Sequence, residues 1–216
     1  MTLVAAWKAA EDRLMAIADT RISRSAGNVL SEHGPKRLPV TVVCRQPGAS
    51  GFFDKEVYRT DIGFAYSGSS LSALAAHVLA NTMLSNLVSN PGTPPPSIAE
   101  VAFAIAGISA DSMREVGQLS GSGGQFKAII FGYCPQQSKL RVFTLSPNVA
   151  SGTLMVDIAE HHLAAIAIGG SAAASAVVIG TAPELLTSAI DADLAGAKAR
   201  GEVYALQAIS SICIHR

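Results

Sequence analysis

Two apolar runs of strand length open the chain, Leu3-Val4-Ala5-Ala6-Trp7 and Leu14-Met15-Ala16-Ile17-Ala18, with a charged turn at Glu11-Asp12 between them. The pattern predicts a β-hairpin. Its second run stops in Asp19-Thr20-Arg21-Ile22-Ser23, a carboxylate, a guanidinium and two hydroxyls at the end of an apolar strand. A polar loop over residues 24–37 follows, holding Gly27, Gly34 and Pro35 and ending in Lys36-Arg37 just before the β-branched run Pro39-Val40-Thr41-Val42-Val43-Cys44. Residues 46–55 read as an exposed excursion, and strand character returns over 61–66, leading into Ser67-Gly68-Ser69-Ser70.

From Leu71 the period becomes helical through Leu74, Ala75, Val78, Leu79, Met83, Leu84 and Leu87, and it stops before the proline-rich linker at 91–96. Ser97, with Glu100 at capping-box spacing, opens a second helix running to about Val116. The glycine-rich residues 117–124 come next. No Lys-Ser or Lys-Thr follows them and the next residues read as strand, so a flexible connector is expected rather than a phosphate loop. Strands are predicted over 127–133, 139–145, 152–158 and 163–168, and helices over 171–180, 183–198 and 202–214. Strands, two helices, strands and more helices in blocks argue for an α+β fold with two sheets stacked between helical layers. A doubly wound parallel fold would alternate instead.

With 216 residues, the chain makes one large domain or at most two small ones. It is 49% apolar with a mean hydropathy of +0.35, enough for a large core. Charged residues make up only 15%, against about a quarter in an average soluble domain. Such a deficit points to surface buried against other subunits. Sixteen basic and sixteen acidic residues balance, without a basic run, so neither nucleic acid nor an anionic membrane is an expected partner.

Cys44, Cys134 and Cys213 are odd in number and far apart in apolar surroundings, as buried free thiols of a reducing cytoplasm would be. The first residues lack a basic segment, so no secretory signal is expected. Residues 163–182 carry no charge, but their Gly, Ala and Ser content and the Gly169-Gly170-Ser171 break make them core rather than a membrane span.

Candidate chemistry sits at the terminus. Once the initiator methionine is removed, Thr2 bears a hydroxyl and a free amine on one residue, a nucleophile with its own base. Other constellations are weaker. His161-His162 would point to opposite faces of a strand with only Glu160 near, so no metal is expected, and a Gly-x-Ser-x-Gly elbow for an esterase is absent from the sequence.

Taken together, Thr2-Leu3-Val4-Ala5, the run Asp19-Thr20-Arg21-Ile22-Ser23, Lys36 after a polar loop, and Ser67-Gly68-Ser69 opening a helix resemble proteasome β-type subunits and the bacterial HslV peptidase, which are amino-terminal-nucleophile hydrolases. Phe131-Gly132-Tyr133, a strand ending in Pro147, and Ile166-Ala167-Ile168-Gly169-Gly170-Ser171 extend the resemblance over nearly the whole chain. It implies a single domain over residues 1–216 with an insertion at about 45–58, folded as a four-layer αββα sandwich.

The resemblance also implies roles. Thr2 would attack a peptide carbonyl, Asp19 and Lys36 would tune its amine, the Gly68 N–H would stabilise the oxyanion, and Ser23 and Tyr66 would line the substrate groove. No cofactor is implied. A cytoplasmic homo-oligomeric ring would enclose the sites, acting on peptides or unfolded protein and fed by an ATP-dependent unfoldase.

Two departures weaken the supporting hydrogen bonds. Gly170 stands where the family has a serine, which Ser171 would replace from the neighbouring position, and Ser211 stands where it has an aspartate. Two readings stay open: a threonine peptidase, and a noncatalytic structural or binding subunit with a degenerate site.

Overall fold

The computed structural model describes residues 3–10, 12–20, 22–23, 29–31, 33–150, 152–163, 176–180 and 212–215. The opening runs form the expected hairpin, β1 (Leu3–Ala10) and β2 (Arg13–Ala18), in register from Val4↔Ala18 to Ala10↔Arg13. Val4, Ala5, Ala6 and Trp7 are consecutive and all buried, so β1 is covered on both faces over that stretch. That is why its sequence reads as an unbroken apolar run rather than an alternation.

Two further strands flank the hairpin in a four-stranded sheet. One, Ala176–Gly180, pairs antiparallel with β1, and the other, Ile212–His215, pairs antiparallel with β2. Both correct the sequence reading, which put helices over 171–180 and 202–214. Ala176-Val177-Val178-Ile179 and Ile212-Cys213-Ile214 are rich in β-branched residues, which fit a pleated surface better than a helix. The unpaired edges of a buried hairpin also demand partners.

The loop expected over 24–37 likewise contains structure. β4 (Val29–Ser31) pairs with β3 (Ile22–Ser23) in a small two-stranded sheet.

A six-stranded sheet carries the rest. It comprises β5 (Arg37–Gln46), β6 (Lys55–Gly68), β7 (Leu87–Val88), β8 (Phe126–Cys134), β9 (Lys139–Ala150) and β10 (Thr153–His161). In space the order is β10-β9-β8-β6-β5-β7, antiparallel except for the short β5–β7 pair. The strands that flank the hairpin in the four-stranded sheet are β11 (Ala176–Gly180) and β12 (Ile212–His215).

The excursion expected over 46–55 is narrower than predicted, because β6 already begins at Lys55 and pairs there with Gln46. Burial along β6 changes character at its midpoint. Its outer half alternates between exposed and half-buried, while residues 62–67 are buried without interruption. The inner half therefore has packing on both faces.

Two helices lie on that sheet, α1 (Ser70–Leu84) and α2 (Ile98–Ser120). Leu87, read as helical from its spacing, belongs to β7. The glycine-rich run is no loose connector: α2 continues through Ser120, and Gly121–Gly124 form a 3-10 turn. The predicted strand over 163–168 falls almost wholly outside the described residues, as do the helix over 183–198 and residues 202–211 of the last helix.

Apolar side chains gather in two places. Val4, Ala6, Leu14, Ala16 and Ala18 meet Ala65, Ile129, Phe131 and Val142 between the sheets. Val40, Ile62, Phe64 and Ile130 meet Ala73, Ala76, Ala80, Val101, Ile105 and Met113 beneath the helices. The described residues thus form an α+β fold of three layers, sheet on sheet with a helix pair outside.

α2 starts at the capping box expected from sequence. Ser97 Oγ accepts from the Glu100 N–H at 3.2 Å, and the Ser97 N–H donates to Glu100 Oε2 at 2.7 Å. The Ser97 N–H first, and second its hydroxyl, which donates to the same Oε2 at 2.8 Å, hold the Glu100 carboxyl below its ordinary range. Ser97→Ala is expected to cost about 1 kcal/mol in urea unfolding, and an unchanged midpoint would refute the cap's contribution. Because the folded carboxyl is the stronger acid, its stabilisation is present above the unfolded pKa and is lost as pH falls through the carboxylate range. Glu100→Gln should lack that component of the pH dependence.

Candidate active site

Three chain segments converge where the strands of both sheets end. They are Ala18-Asp19-Thr20 at the end of β2, Gly34-Pro35-Lys36 entering β5, and Tyr66-Ser67-Gly68 closing β6. Backbone bonds tie them together. The Gly34 N–H donates to the Thr20 carbonyl at 2.7 Å, and the Tyr66 N–H donates to the Lys36 carbonyl at 3.0 Å. A Cβ at Gly34 would stand 2.1 Å from Ile22 Cδ1, so any side chain there would have to displace Ile22. Arg37, also half-buried, reaches across to donate from Nη1 to the Ala16 carbonyl at 3.1 Å, and burial lowers its pKa.

Lys36 Nζ lies 3.0 Å from Asp19 Oδ1, with the lysine side chain 2% exposed and the aspartate 31%. An ammonium so removed from water is tolerated only when a carboxylate and hydrogen bonds compensate it. Asp19 supplies the charge. Tyr66 fixes the backbone, since its hydroxyl donates to the Pro35 carbonyl at 2.9 Å while its N–H holds the Lys36 carbonyl.

The Tyr66 ring itself is fully buried, packed on Phe64 and Phe126 at centroid distances of 6.1 and 6.4 Å. Burial raises its pKa, a hydrogen bond with Ser70 opposes the rise and the Asp19 charge adds to it, so the phenol stays a donor. The sequence singled out Tyr66 for a substrate groove. Its hydroxyl and its N–H engage the segment that carries Lys36. The clamp, with Gly34 and Arg37, was missed by sequence reasoning, and the only local sign was the Gly-Pro pair before Lys36.

Gly68 has φ +119, and an added Cβ would come within 2.6 Å of the Gln125 carbonyl oxygen and 2.8 Å of Phe126 Cα. Both the backbone angle and the space exclude a side chain. The residue makes the turn from β6 into Ser69, whose side chain caps α1.

Among the remaining predicted site residues, Ser23 lies in β3 opposite Val29. Thr2 and Ser171 lie outside the described residues. The strand that follows Thr2 starts beside the pair: Val4 is in register with Ala18, the residue before Asp19.

A separate cleft of about 330 Å³ lies at the turn end of the β1–β2 hairpin, lined by Lys8, Asp12, Tyr133, Arg141, Glu160 and His162 among others, and by none of the predicted site residues. His161 bonds Thr144 Oγ1 through Nε2 at 2.8 Å, while His162 is exposed. No cluster of three His, Cys, Asp or Glu side chains suited to a metal occurs among the described residues. No helix among them is long and apolar enough to cross a membrane.

Two stacked sheets with a helix pair outside, and strand ends converging on a buried lysine, define an α+β sandwich. Its fold is that of the Anbu proteins. The Pseudomonas aeruginosa Anbu complex, solved as a helical assembly, superposes with a TM-score of 0.58 at 12% identity, covering 100% of this chain and 81% of that one. Anbu from Yersinia bercovieri, described as the ancestral beta-subunit, gives 0.54 at 14% identity over 99% and 81%. A Gly-1 mutant of Anbu from Hyphomicrobium sp. strain MC1 gives 0.47 at 20% identity, and the chain covers 61% of its length. No family model and no curated protein matches the chain.

These likenesses correct the sequence resemblance to proteasome β-type subunits and HslV. The Pseudomonas and Yersinia structures that share this fold are Anbu proteins, a related but distinct family.

Asp19→Asn strips the buried ammonium of its carboxylate and is expected to cost about 2 kcal/mol in urea unfolding. That is less than the roughly 3–5 kcal/mol for breaking a fully buried pair, because the Asp19 side chain is 31% exposed. Tyr66→Phe, which deprives the Pro35 carbonyl of its donor, should cost about 1 kcal/mol by the same measurement. Wild-type stability in both variants would refute this account of how Lys36 is held.

Proposed function

We propose that this chain is a subunit of a self-assembled, proteasome-like complex and works as a threonine-type endopeptidase with Thr2 as its nucleophile. The observation that carries the reading is the buried Lys36–Asp19 pair at the strand ends where β1 begins, 3.0 Å across and with Lys36 only 2% exposed. A desolvated cation there adds little to stability that an apolar side chain would not, and such local violations gather at functional sites.

Thr2 Oγ attacks the peptide carbonyl and its proton passes to the α-amine of the same residue. The ammonium returns that proton to the peptide nitrogen as the C–N bond breaks and the amine product leaves, and water then hydrolyses the acyl-enzyme ester. An α-amine has a pKa of about 8, and a cation beside it lowers that value toward neutrality. Lys36 supplies that field, and Asp19 holds the ammonium in position. The Gly68 N–H serves as oxyanion donor at a turn where no side chain fits. Ser171 assists the amine, and Ser23 and Tyr66 flank the substrate segment, Tyr66 by holding the Lys36 backbone.

Residues 1–216 form one domain in this reading, a four-layer αββα sandwich with 45–58 an insertion at the outer end of the β5–β6 hairpin. The low charge content of 15% supports assembly into a homo-oligomeric ring or helix, as does the likeness to an Anbu complex that is itself a helical assembly. The substrates are peptides or unfolded protein, delivered in the cytoplasm by an ATP-dependent unfoldase.

Intact mass tests the terminus: the loss of Met1 is required, because a retained methionine turns the Thr2 amine into a nonbasic amide. With Met1 gone, wild type should hydrolyse short fluorogenic peptides and Thr2→Ala should fall at least about a thousandfold, the scale of a lost nucleophile. Equal rates refute the mechanism. An assembled but inert wild type would favour the noncatalytic subunit.

A further inference from the structure

α1 turns four of its large apolar side chains away from the protein, with Leu74 and Leu84 toward the core. Leu71, Val78, Leu79 and Met83 are 66, 63, 46 and 52% exposed, while the face on the core consists of Ser72, Ala73, Ala76, Ala80 and Leu84. A helix whose outer face met only water would show the reverse. The outward residues also have an order. Leu71, Ala75, Val78 and Thr82, all exposed, are spaced four, three and four apart, and Leu79 and Met83 flank them. That is the seam spacing of two helices packed along each other.

Charge is absent from the same surface. Residues 62–99 contain no Asp, Glu, Lys or Arg, so nothing on α1 has to be desolvated or matched when it is covered. His77 is turned inward, where Nε2 meets the Pro39 carbonyl at 2.7 Å. Arg45 is tied to the helix end, donating from Nη1 to the Ser85 carbonyl at 2.9 Å. The second helix of the layer differs. α2 exposes Phe103 and Leu119 as well, but among Glu100, Asp111, Arg114 and Glu115, so its outer face carries charge where that of α1 has none.

We infer that the outer face of α1 is an interface with a second copy of this chain, α1 packing antiparallel on the α1 of that copy. The inference rests on the proposed self-assembly and names the surface that performs it. A two-fold axis lays one patch on itself, which an uncharged stripe permits without like charges meeting. The middle of the stripe, Val78 and Leu79, falls at the axis. The four large side chains expose on the order of 400 Å², the size of the largest patch a typical monomer leaves open. A standard interface takes about 800 Å² from each partner. The stripe therefore forms the apolar centre of the contact, and flanking surface completes it. A membrane is the wrong cover, since surface-binding helices set Lys and Arg beside their apolar face.

Sedimentation velocity on the full chain, wild type against Leu79→Glu, tests the surface. Leu79 is exposed, so the variant should keep the wild-type far-ultraviolet circular dichroism spectrum while its half-assembly concentration rises at least tenfold. Arg114→Glu, on the charged outer face of α2, should assemble as wild type does. Val78→Cys, under mild oxidation, should give a covalent dimer that wild type does not form. A wild type that stays monomeric at all concentrations overturns the proposed assembly itself. If wild type assembles and Leu79→Glu does so equally well, the assembly stands and the α1 surface is refuted. Assembly without the Val78→Cys cross-link overturns the pairing of α1 with α1.

Discussion

The Lys36 ammonium, almost wholly withdrawn from water, is the constraint around which this end of the molecule is organised. Three layers of interaction follow from it. Asp19 must stand at the end of β2 to neutralise it, so the β1–β2 hairpin has to stop where it does. The Pro35 and Lys36 carbonyls must be held, and both bonds come from Tyr66 on β6. Tyr66 can give them only because its ring is anchored among Phe64 and Phe126 beneath the helices. A single charge thereby couples the core between the sheets to the core under α1 and α2.

The same economy of charge shapes the whole chain. Strands buried on both faces, such as the first half of β1 and the inner half of β6, have no position at which a polar side chain could reach water. Alanine dominates where layers approach closely: Ala73, Ala76 and Ala80 let α1 settle on the six-stranded sheet. Small residues inward and large ones outward leave α1 unlike an ordinary surface helix, although its sequence period is ordinary.

Most strands and both helices were legible because their signals are local. The capping box at Ser97 and Glu100 and the apolar runs of β1, β2 and β8 need no knowledge of distant contacts. Where the reading failed, tertiary context decided. Ala176–Gly180 follows a stretch of small residues that suits a helix, yet the open edge of β1 recruits it as a strand. Leu87 fits the period of α1, but Ser85 already ends the helix and β5 takes Leu87 as a parallel partner.

At the site, the order of Asp19, Lys36 and Gly68 along the chain was enough to single them out. The clamp by Tyr66 was not readable, because a tyrosine in an apolar strand gives no hint of which carbonyl its hydroxyl will find 31 residues away. Which face of α1 would be buried was equally hidden, since periodicity fixes that a helix has two faces and not which one meets the core.

β6 carries a gradient of its own. Its outer half is held by pairing with β5 and little else, whereas the inner half is pressed between two cores and paired on both sides. Local opening free energies follow such differences in packing, so one continuous strand spans two regimes of amide protection. The outer segment can therefore fray and exchange its amide protons at a lower opening free energy than the residues that lead to Gly68.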